Sequence, residues 1–305
     1  MNYLNTLNYG NKILKSKNIS TYRLDSELLL AKVLKKTREQ ILTNLSFSLK
    51  QNEFHNFKRL LLRRKGKEPI AYIFKQKEFW KYSFVVNRDV LIPRPETEII
   101  IEEILKLTNK NSSKYILDVG TGSGCLILSI LKERPKCLGT AIDISKKAIN
   151  LAISNAKMHH LENKINFINI DIDKFSNNKY DFIVSNPPYI NVINFKRLES
   201  NVKQFEPTVA LKAGLDGLEI IKKLIFKSRK LLKLNGKLIF EIGEDQENKV
   251  KNLLMKNKFY INKVCRDLRS FPRVIISTKL FWWTIFEIIE KIVLNLMEIE
   301  TSEKD

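Results

Sequence analysis

The sequence predicts an α/β fold in which a parallel sheet is wound by helical crossovers, behind a small helical bundle and a β-hairpin linker. Three observations carry that prediction. Up to about Lys65 the only periodicity is helical; from residue 115 onward short apolar runs alternate with amphipathic patterns; and a glycine-rich stretch follows the first of those runs directly.

In the helical part, Leu24, Leu28, Leu29 and Leu34 form one stripe and Phe54, Phe57 and Leu61 another, with Thr37 and Gln40 spaced as a capping box. Gly66 and Pro69 break the pattern, and residues 71–73, 78–82 and 83–86 read as extended because they are rich in aromatic and β-branched side chains. Pro95 with Glu96 and Glu98 suits a first helical turn, so a helix is expected from there to about Thr108. Residues 115–119, 139–144, 165–170, 181–185 and 237–242 read as buried strands, and 124–133, 146–160, 215–232 and 246–256 as helices. Residues 259–265 and 274–278 are expected to finish the sheet as a strand pair. In the tail, Trp282, Ile285, Phe286, Ile289, Ile292, Val293 and Leu296 recur at helical spacing. Glu287, Glu290 and Lys291 would each cost roughly 2.5–3.5 kcal/mol at a bilayer centre, so an amphipathic helix packed on protein is expected over 280–297, and no transmembrane segment.

A chain of 305 residues with 44% hydrophobic content is long enough for two domains and excludes wholesale disorder. Its 54 basic and 33 acidic residues leave a net charge of +21, which suits a polyanionic partner. Lys, Asn and Ile recur throughout, however, so the charge also fits a compositional habit; direct nucleic-acid binding is compatible with the sequence but not required by it. Cys125, Cys137 and Cys265 are odd in number, and none lies in a CxxC pair or beside His55, His159 or His160. Neither a disulfide framework nor a metal site is expected, and a reducing, cytoplasmic setting follows. The first 20 residues have no apolar run of the kind a signal peptide needs.

Two motifs carry chemistry. The first is Ile116-Leu117-Asp118-Val119-Gly120-Thr121-Gly122-Ser123-Gly124, a buried strand running into glycines and then a helix, where the main chain can approach a ligand at the carboxyl edge of the sheet. The spacing is GxGxG, and Cys125 stands where a dinucleotide fingerprint wants its third glycine, which favours S-adenosyl-L-methionine over NAD. Asp143 ends the next strand, placed to accept hydrogen bonds from ribose hydroxyls. The second motif is Asn186-Pro187-Pro188-Tyr189. Two successive prolines remove two N–H donors and leave the Pro187 carbonyl without strand pairing, while Asn186 adds a side-chain acceptor. Two acceptors can hold the two hydrogens of a neutral –NH₂ group, and Tyr189 offers a flat face to a planar substrate.

Together these motifs resemble the class I S-adenosylmethionine-dependent amino-methyltransferases, and more narrowly, over about residues 5–278, the HemK/PrmC family of release factor glutamine methyltransferases. The narrower match rests on Leu91-Ile92-Pro93-Arg94-Pro95-Glu96-Thr97-Glu98, Phe205-Glu206-Pro207, Ala210-Leu211, Asp216-Gly217-Leu218, and Glu241-Ile242-Gly243 with Gln246. The resemblance implies a class I SAM-dependent methyltransferase Rossmann-like sheet with an antiparallel strand inserted near its end. It implies a substrate-recognition helical domain over 1–70, a hairpin linker over 71–92, a methyltransferase domain over 93–278 and a tail over 279–305. The cofactor-binding residues become Gly120, Thr121, Gly122, Ser123, Gly124, Asp143, Asp171, Ile172 and Asn186, and Thr97 and Glu98 are expected to approach the methionine end. Asn186, Pro187 and Tyr189 are implied as catalytic, with Pro188 joining them in substrate binding.

Two positions depart from the family pattern: Ile172 stands where a Trp often flanks adenine, and residues 267–273 lack the usual glycine before the last strand. The implied activity is methylation of a glutamine side-chain amide in class I peptide-chain release factors. A glutamine methyltransferase of a large-subunit ribosomal protein and an exocyclic-amine methyltransferase of nucleic acid remain alternatives. A non-enzymatic scaffold is expected to lose Asn186 or the glycines, and both are kept.

Overall fold

The computed structural model describes residues 1–176 and 179–280, and the chain divides into two compact units. One comprises Met1–Lys77, Val85–Ile92 and Arg197–Pro207; the other comprises Glu78–Phe84, Pro93–Lys196 and the chain from Thr208 onward. The tail helix expected over 280–297 lies, beyond Leu280, outside the described residues.

The first unit is built from α1 (Tyr3–Lys15), α2 (Tyr22–Leu34), α3 (Arg38–Leu42), α4 (Gln51–Lys65) and α5 (Ile70–Phe74). Leu14, Leu29, Leu30, Ile41 and Phe57 are fully buried at its centre. Leu24, placed by periodicity on the buried stripe, is exposed instead, while its neighbour in the stripe Leu29 is buried. The capping box at α3 forms, with the Thr37 hydroxyl accepting from Gln40 N–H at 3.3 Å and the Gln40 side chain accepting from Thr37 N–H at 2.9 Å. Residues 71–73, expected to be extended, are helical. Pro69 stands at the N-cap of α5 and Lys75 closes it in the left-handed region at φ 56°, so flanking geometry overrides an apolar run too short to show a period.

Buried charge organises this unit. The Asp25 carboxylate accepts from Arg64 at 2.6 Å and from the Thr21 hydroxyl at 2.8 Å, and Arg63 grips Glu68 through two bonds of 2.8 Å. Within the same unit, Glu206 accepts the backbone N–H of Ile92 at 3.2 Å and the Arg88 guanidinium lies 4.7 Å from the Phe205 ring centroid, which ties the 197–207 excursion to the 85–92 segment. The unit holds 20 Lys and Arg against 8 Asp and Glu, a net of +12 out of the chain's +21. The positive charge is therefore concentrated rather than evenly spread.

After α5 the chain forms a two-stranded hairpin, β1 (Gln76–Phe79) and β2 (Tyr82–Val85). Its turn falls at Trp80, in the left-handed region at φ 57°, so the first strand stops before residue 82. In the second unit Glu133 receives the Trp80 indole N–H at 3.0 Å and the Tyr82 hydroxyl at 3.2 Å, and Phe79 and Phe84 enter the core.

The second unit continues through a 3-10 turn at Pro95–Thr97 into α6 (Glu98–Leu107), then β3 (Tyr115–Val119), α7 (Cys125–Glu133), β4 (Leu138–Asp143), α8 (Lys146–Met158), β5 (Ile165–Asn169) and β6 (Tyr180–Ser185). After α9 (Val192–Arg197), and after α10 (Ser200–Phe205) of the first unit, come α11 (Glu219–Leu231), β7 (Leu232–Glu241), α12 (Glu247–Lys256), β8 (Phe259–Arg266) and β9 (Pro272–Lys279). Seven strands pair in the order β5-β4-β3-β6-β7-β9-β8, parallel through β7, with β9 antiparallel to both neighbours. Successive residues feed opposite faces: Ile116, Val184 and Ile239 join the core beneath α6 and α7, while Leu117, Ile183 and Leu238 join the core beneath α11 and α12. That two-sided burial is why these strands read as unbroken apolar runs.

Arg64→Ala would leave the buried Asp25 carboxylate, among the described residues, with only the Thr21 hydroxyl, and removal of one partner from such a pair costs about 3–5 kcal/mol. Thermal unfolding should show the first unit destabilised on that scale. A melting profile equal to wild type would show that the pair is not holding the bundle.

Candidate active site

The chain runs β3, β4, β5 outward on one side and then returns to lay β6 against the other side of β3, so the crevice at the carboxyl ends of β3 and β6 is a topological switch point. The two motifs leave the sheet there side by side, and the Ser185 hydroxyl donates to the Val119 carbonyl at 2.7 Å to lock the strand ends together.

Gly120 and Gly122 have φ of +72° and +55°, and a Cβ built on either would meet nothing within 4 Å. The backbone therefore faces open space at two points, a cradle that side chains would fill. Gly124 serves a different purpose: its Cβ would lie 3.2 Å from that of Ala152, so the third glycine admits the close approach of α8. Asp143, at the end of β4, accepts the Gly122 N–H at 3.0 Å through one oxygen and the Ser145 N–H at 2.9 Å through the other. Asp118 is buried at the end of β3 and accepts the Thr121 hydroxyl at 2.7 Å. Burial pushes its carboxyl up to about 7 against the pull of that hydrogen bond, and the charge of Asp143 adds to the rise. Burial likewise raises Asp143. Two carboxyls at the edge of an open backbone cradle suit a ligand that carries positive charge.

The other expected cofactor positions differ in what they expose. Ser123 is buried, and its carbonyl accepts from Asn155 at 2.8 Å. Asp171 caps a short 3-10 turn by accepting Asp173 N–H at 2.9 Å, and Ile172 is buried in the core on the α11 side. Glu98 turns toward the hairpin and accepts the Trp80 backbone N–H at 2.7 Å.

In the second motif Pro187 is buried while Asn186, Pro188 and Tyr189 are half-buried. Asn186 donates its amide N–H to the Thr97 hydroxyl oxygen at 2.9 Å; Thr97 donates to Oε2 of Glu241 at 2.6 Å; and the Tyr189 hydroxyl donates to Oε1 of Glu241 at 3.0 Å. Glu241 is 1% exposed and Thr97 4%. Burial raises the Glu241 carboxyl despite its two hydroxyl donors, and burial together with that carboxylate raises the Tyr189 phenol. Among the described residues no donor meets the Asn186 Oδ1 or the Pro187 carbonyl, so both remain available as acceptors.

The loop is braced from behind. The Gln246 amide donates to the carbonyls of Tyr189 at 3.0 Å and Gly217 at 3.1 Å, and a Cβ on Gly217 would lie 2.5 Å from the Tyr189 carbonyl oxygen. Ile190 forms an isolated parallel bridge with the 211–213 segment through bonds of 3.1 and 3.0 Å. No contiguous motif singles out Glu241 or Gln246 individually. The signal for Glu241 was a lone carboxylate closing the apolar run Leu238-Ile239-Phe240.

Residues 5–74 match the PrmC N-terminal domain and residues 96–201 the methyltransferase small domain. A release factor glutamine methyltransferase of Clostridium acetobutylicum is 36% identical over 270 residues, covering 88% of this chain and 95% of that protein. The chain belongs to the release factor glutamine methyltransferase family. A second member, from Buchnera aphidicola, is 37% identical over 92% of this chain and its own entire length. A bifunctional methyltransferase of Rickettsia bellii is 36% identical over 88% of this chain, which spans only 53% of that longer protein. Among solved structures, a methyltransferase from Pyrococcus furiosus superposes with a TM-score of 0.50 at 16% identity, over 74% of this chain and 99% of that one, which shows a shared fold. The family, the class I methyltransferase architecture and the antiparallel strand near the end of the sheet thus agree with the resemblance read from the sequence.

Asp118 generates a pH prediction. A carboxyl raised from 3.8 to about 7 binds more protons folded than unfolded, so its contribution to stability falls as pH rises through that window. Asp118→Asn, permanently neutral yet still able to accept from Thr121, should gain stability relative to wild type between pH 5 and about 7.5. Urea unfolding at several pH values measures the difference, and a constant gap across the range would remove Asp118 as its source.

Proposed function

We propose that this chain transfers a methyl group to the side-chain amide nitrogen of a glutamine in class I peptide-chain release factors, with S-adenosyl-L-methionine as cofactor. The observation that carries the proposal is the pair of unengaged acceptors, Asn186 Oδ1 and the Pro187 carbonyl, beside an open glycine cradle at one sheet edge. A primary amide has two N–H donors and a delocalised nitrogen lone pair. Two fixed acceptors hold both hydrogens while the nitrogen pyramidalises, and the Tyr189 ring flanks the amide plane. Once the nitrogen has taken the methyl group it is cationic, and it passes one of its two hydrogens as a proton to water at the open crevice, so no strong base is called for.

When bound, S-adenosyl-L-methionine supplies an electrophilic methyl group on a sulfonium. Gly120, Thr121 and Gly122 would face its methionine portion, Asp143 its ribose, and the turn at Asp171 and Ile172 its adenine side; Asp118 and Asp143 favour its positive charge. Release factors and family members belong to translation, which supports a cytoplasmic setting. We assign substrate recognition to the N-terminal helical unit, whose net +12 complements an acidic protein face. The same charge is the one observation that favours the nucleic-acid alternative.

Intact-mass and peptide analysis of a purified release factor incubated with the enzyme and labelled cofactor should place one methyl on a single glutamine and none on its Glu replacement. Methylation of bulk RNA or DNA with an untouched protein would transfer the assignment to the nucleic-acid reading. Asn186→Ala should lower kcat by about 10²–10³-fold, the scale for losing one preorganised polar partner of a transition state. Asp143→Ala should weaken cofactor binding by about 1–3 kcal/mol in calorimetry, and unchanged affinity would count against its place on the ribose.

A further inference from the structure

We infer that Glu241 is a positioning residue that acts through Thr97 to decide which end of the Asn186 amide faces the substrate. The inference rests on the proposed role of Asn186 as an acceptor for an –NH₂ group and adds a cause for it. An asparagine amide has a donor end and an acceptor end of nearly the same shape, so packing alone does not choose between them. A half-turn about the last side-chain bond would exchange them, and would set N–H against the N–H of the substrate.

Proton counting settles the choice. A hydroxyl carries one hydrogen. An ionised Glu241 has no hydrogen to give, so across the 2.6 Å between the Thr97 oxygen and Oε2 the Thr97 hydrogen is committed to the carboxylate. What Thr97 can then offer Asn186 is a lone pair, and the group that meets it at 2.9 Å has to be the amide N–H. Oδ1 is thereby turned away from Thr97. The other oxygen of the same carboxylate takes the Tyr189 hydroxyl at 3.0 Å, so one buried group fixes the polar ends of both side chains that flank the substrate position. A carboxylate at 1% exposure is costly to keep, and an apolar residue would close the Leu238-Ile239-Phe240 run more cheaply. If Thr97 lost its acceptor partner, its hydrogen would be free to turn to Asn186 Oδ1 and stabilise the reversed amide.

The test is a double-mutant cycle on the full-length enzyme with release factor as substrate, reading kcat, KM, cofactor affinity by calorimetry and the unfolding midpoint. Thr97→Val keeps the shape and removes both hydrogen bonds. It should lower kcat about 10- to 100-fold, the penalty of a misaligned contact, with cofactor affinity near wild type and the unfolding midpoint lowered because buried Glu241 loses one of its two hydroxyl donors. Thr97→Ser should restore most of the loss. In an Asn186→Ala background, Thr97→Val should cost nothing further, because the group it orients is gone. Wild-type kcat in Thr97→Val, or an equal further loss in the Asn186→Ala background, would overturn the inference. Should Thr97→Val fail to fold, Thr97→Ala is read in the same cycle with the same two outcomes. Failure of Asn186→Ala itself to lower kcat would instead strike the proposed function, so the two claims fail separately.

Discussion

The organisation of the site depends on one topological constraint. A parallel sheet collects the carboxyl ends of its strands along a single edge, and the reversal of winding at β3 leaves a gap there between the loops of β3 and β6. The register that pairs Val119 with Ser185, reinforced by the Ser185–Val119 hydrogen bond, starts both loops at the same height. Without that register, a backbone cradle that suits a cationic ligand and a pair of carbonyl acceptors that suits an –NH₂ group would not open on the same crevice. β7, next in the sheet, ends at the same edge and delivers Glu241 beneath Asn186 and Tyr189.

The remaining strings that carry the family likeness have a common physical task. Asp216-Gly217-Leu218 supplies the glycine that lets the chain pass against the Tyr189 carbonyl, Gln246 donates to that same carbonyl, and the 211–213 segment pairs with Ile190. Each braces the loop that follows β6. A loop with two prolines donates few backbone hydrogen bonds of its own, so its shape has to be supplied by neighbours. These residues lie far apart in the chain, which is why their strings look unrelated in sequence and meet only in the fold.

The sheet was the most legible part of the sequence. Its strands are buried on both faces, and runs such as Ile116-Leu117 and Leu238-Ile239-Phe240 leave no polar alternation to mislead a reader. Short segments set by their flanks were less legible. Residues 71–73 are helical because of Pro69 and Lys75, the hairpin turns at Trp80 on a backbone angle that aromatic content does not announce, and Leu24 falls on the solvent side of α2. In the candidate site, the glycine loop and Asn186–Tyr189 motif stood out as contiguous strings, whereas the carboxylate behind them did not. Glu241 reaches Thr97 and Tyr189 across 144 and 52 positions of sequence, and a hydrogen bond of that reach leaves no local pattern.

The central claim is that Asn186 and the Pro187 carbonyl hold a glutamine amide by its two hydrogens. A crystal structure of the enzyme with S-adenosylhomocysteine and a glutamine-bearing release factor fragment tests it most directly. The account predicts the glutamine side-chain nitrogen within hydrogen-bonding distance of both Asn186 Oδ1 and the Pro187 oxygen, with Asn186 N–H still on Thr97. A glutamine seated elsewhere in the crevice, or held through its carbonyl oxygen by the Asn186 N–H, would contradict it.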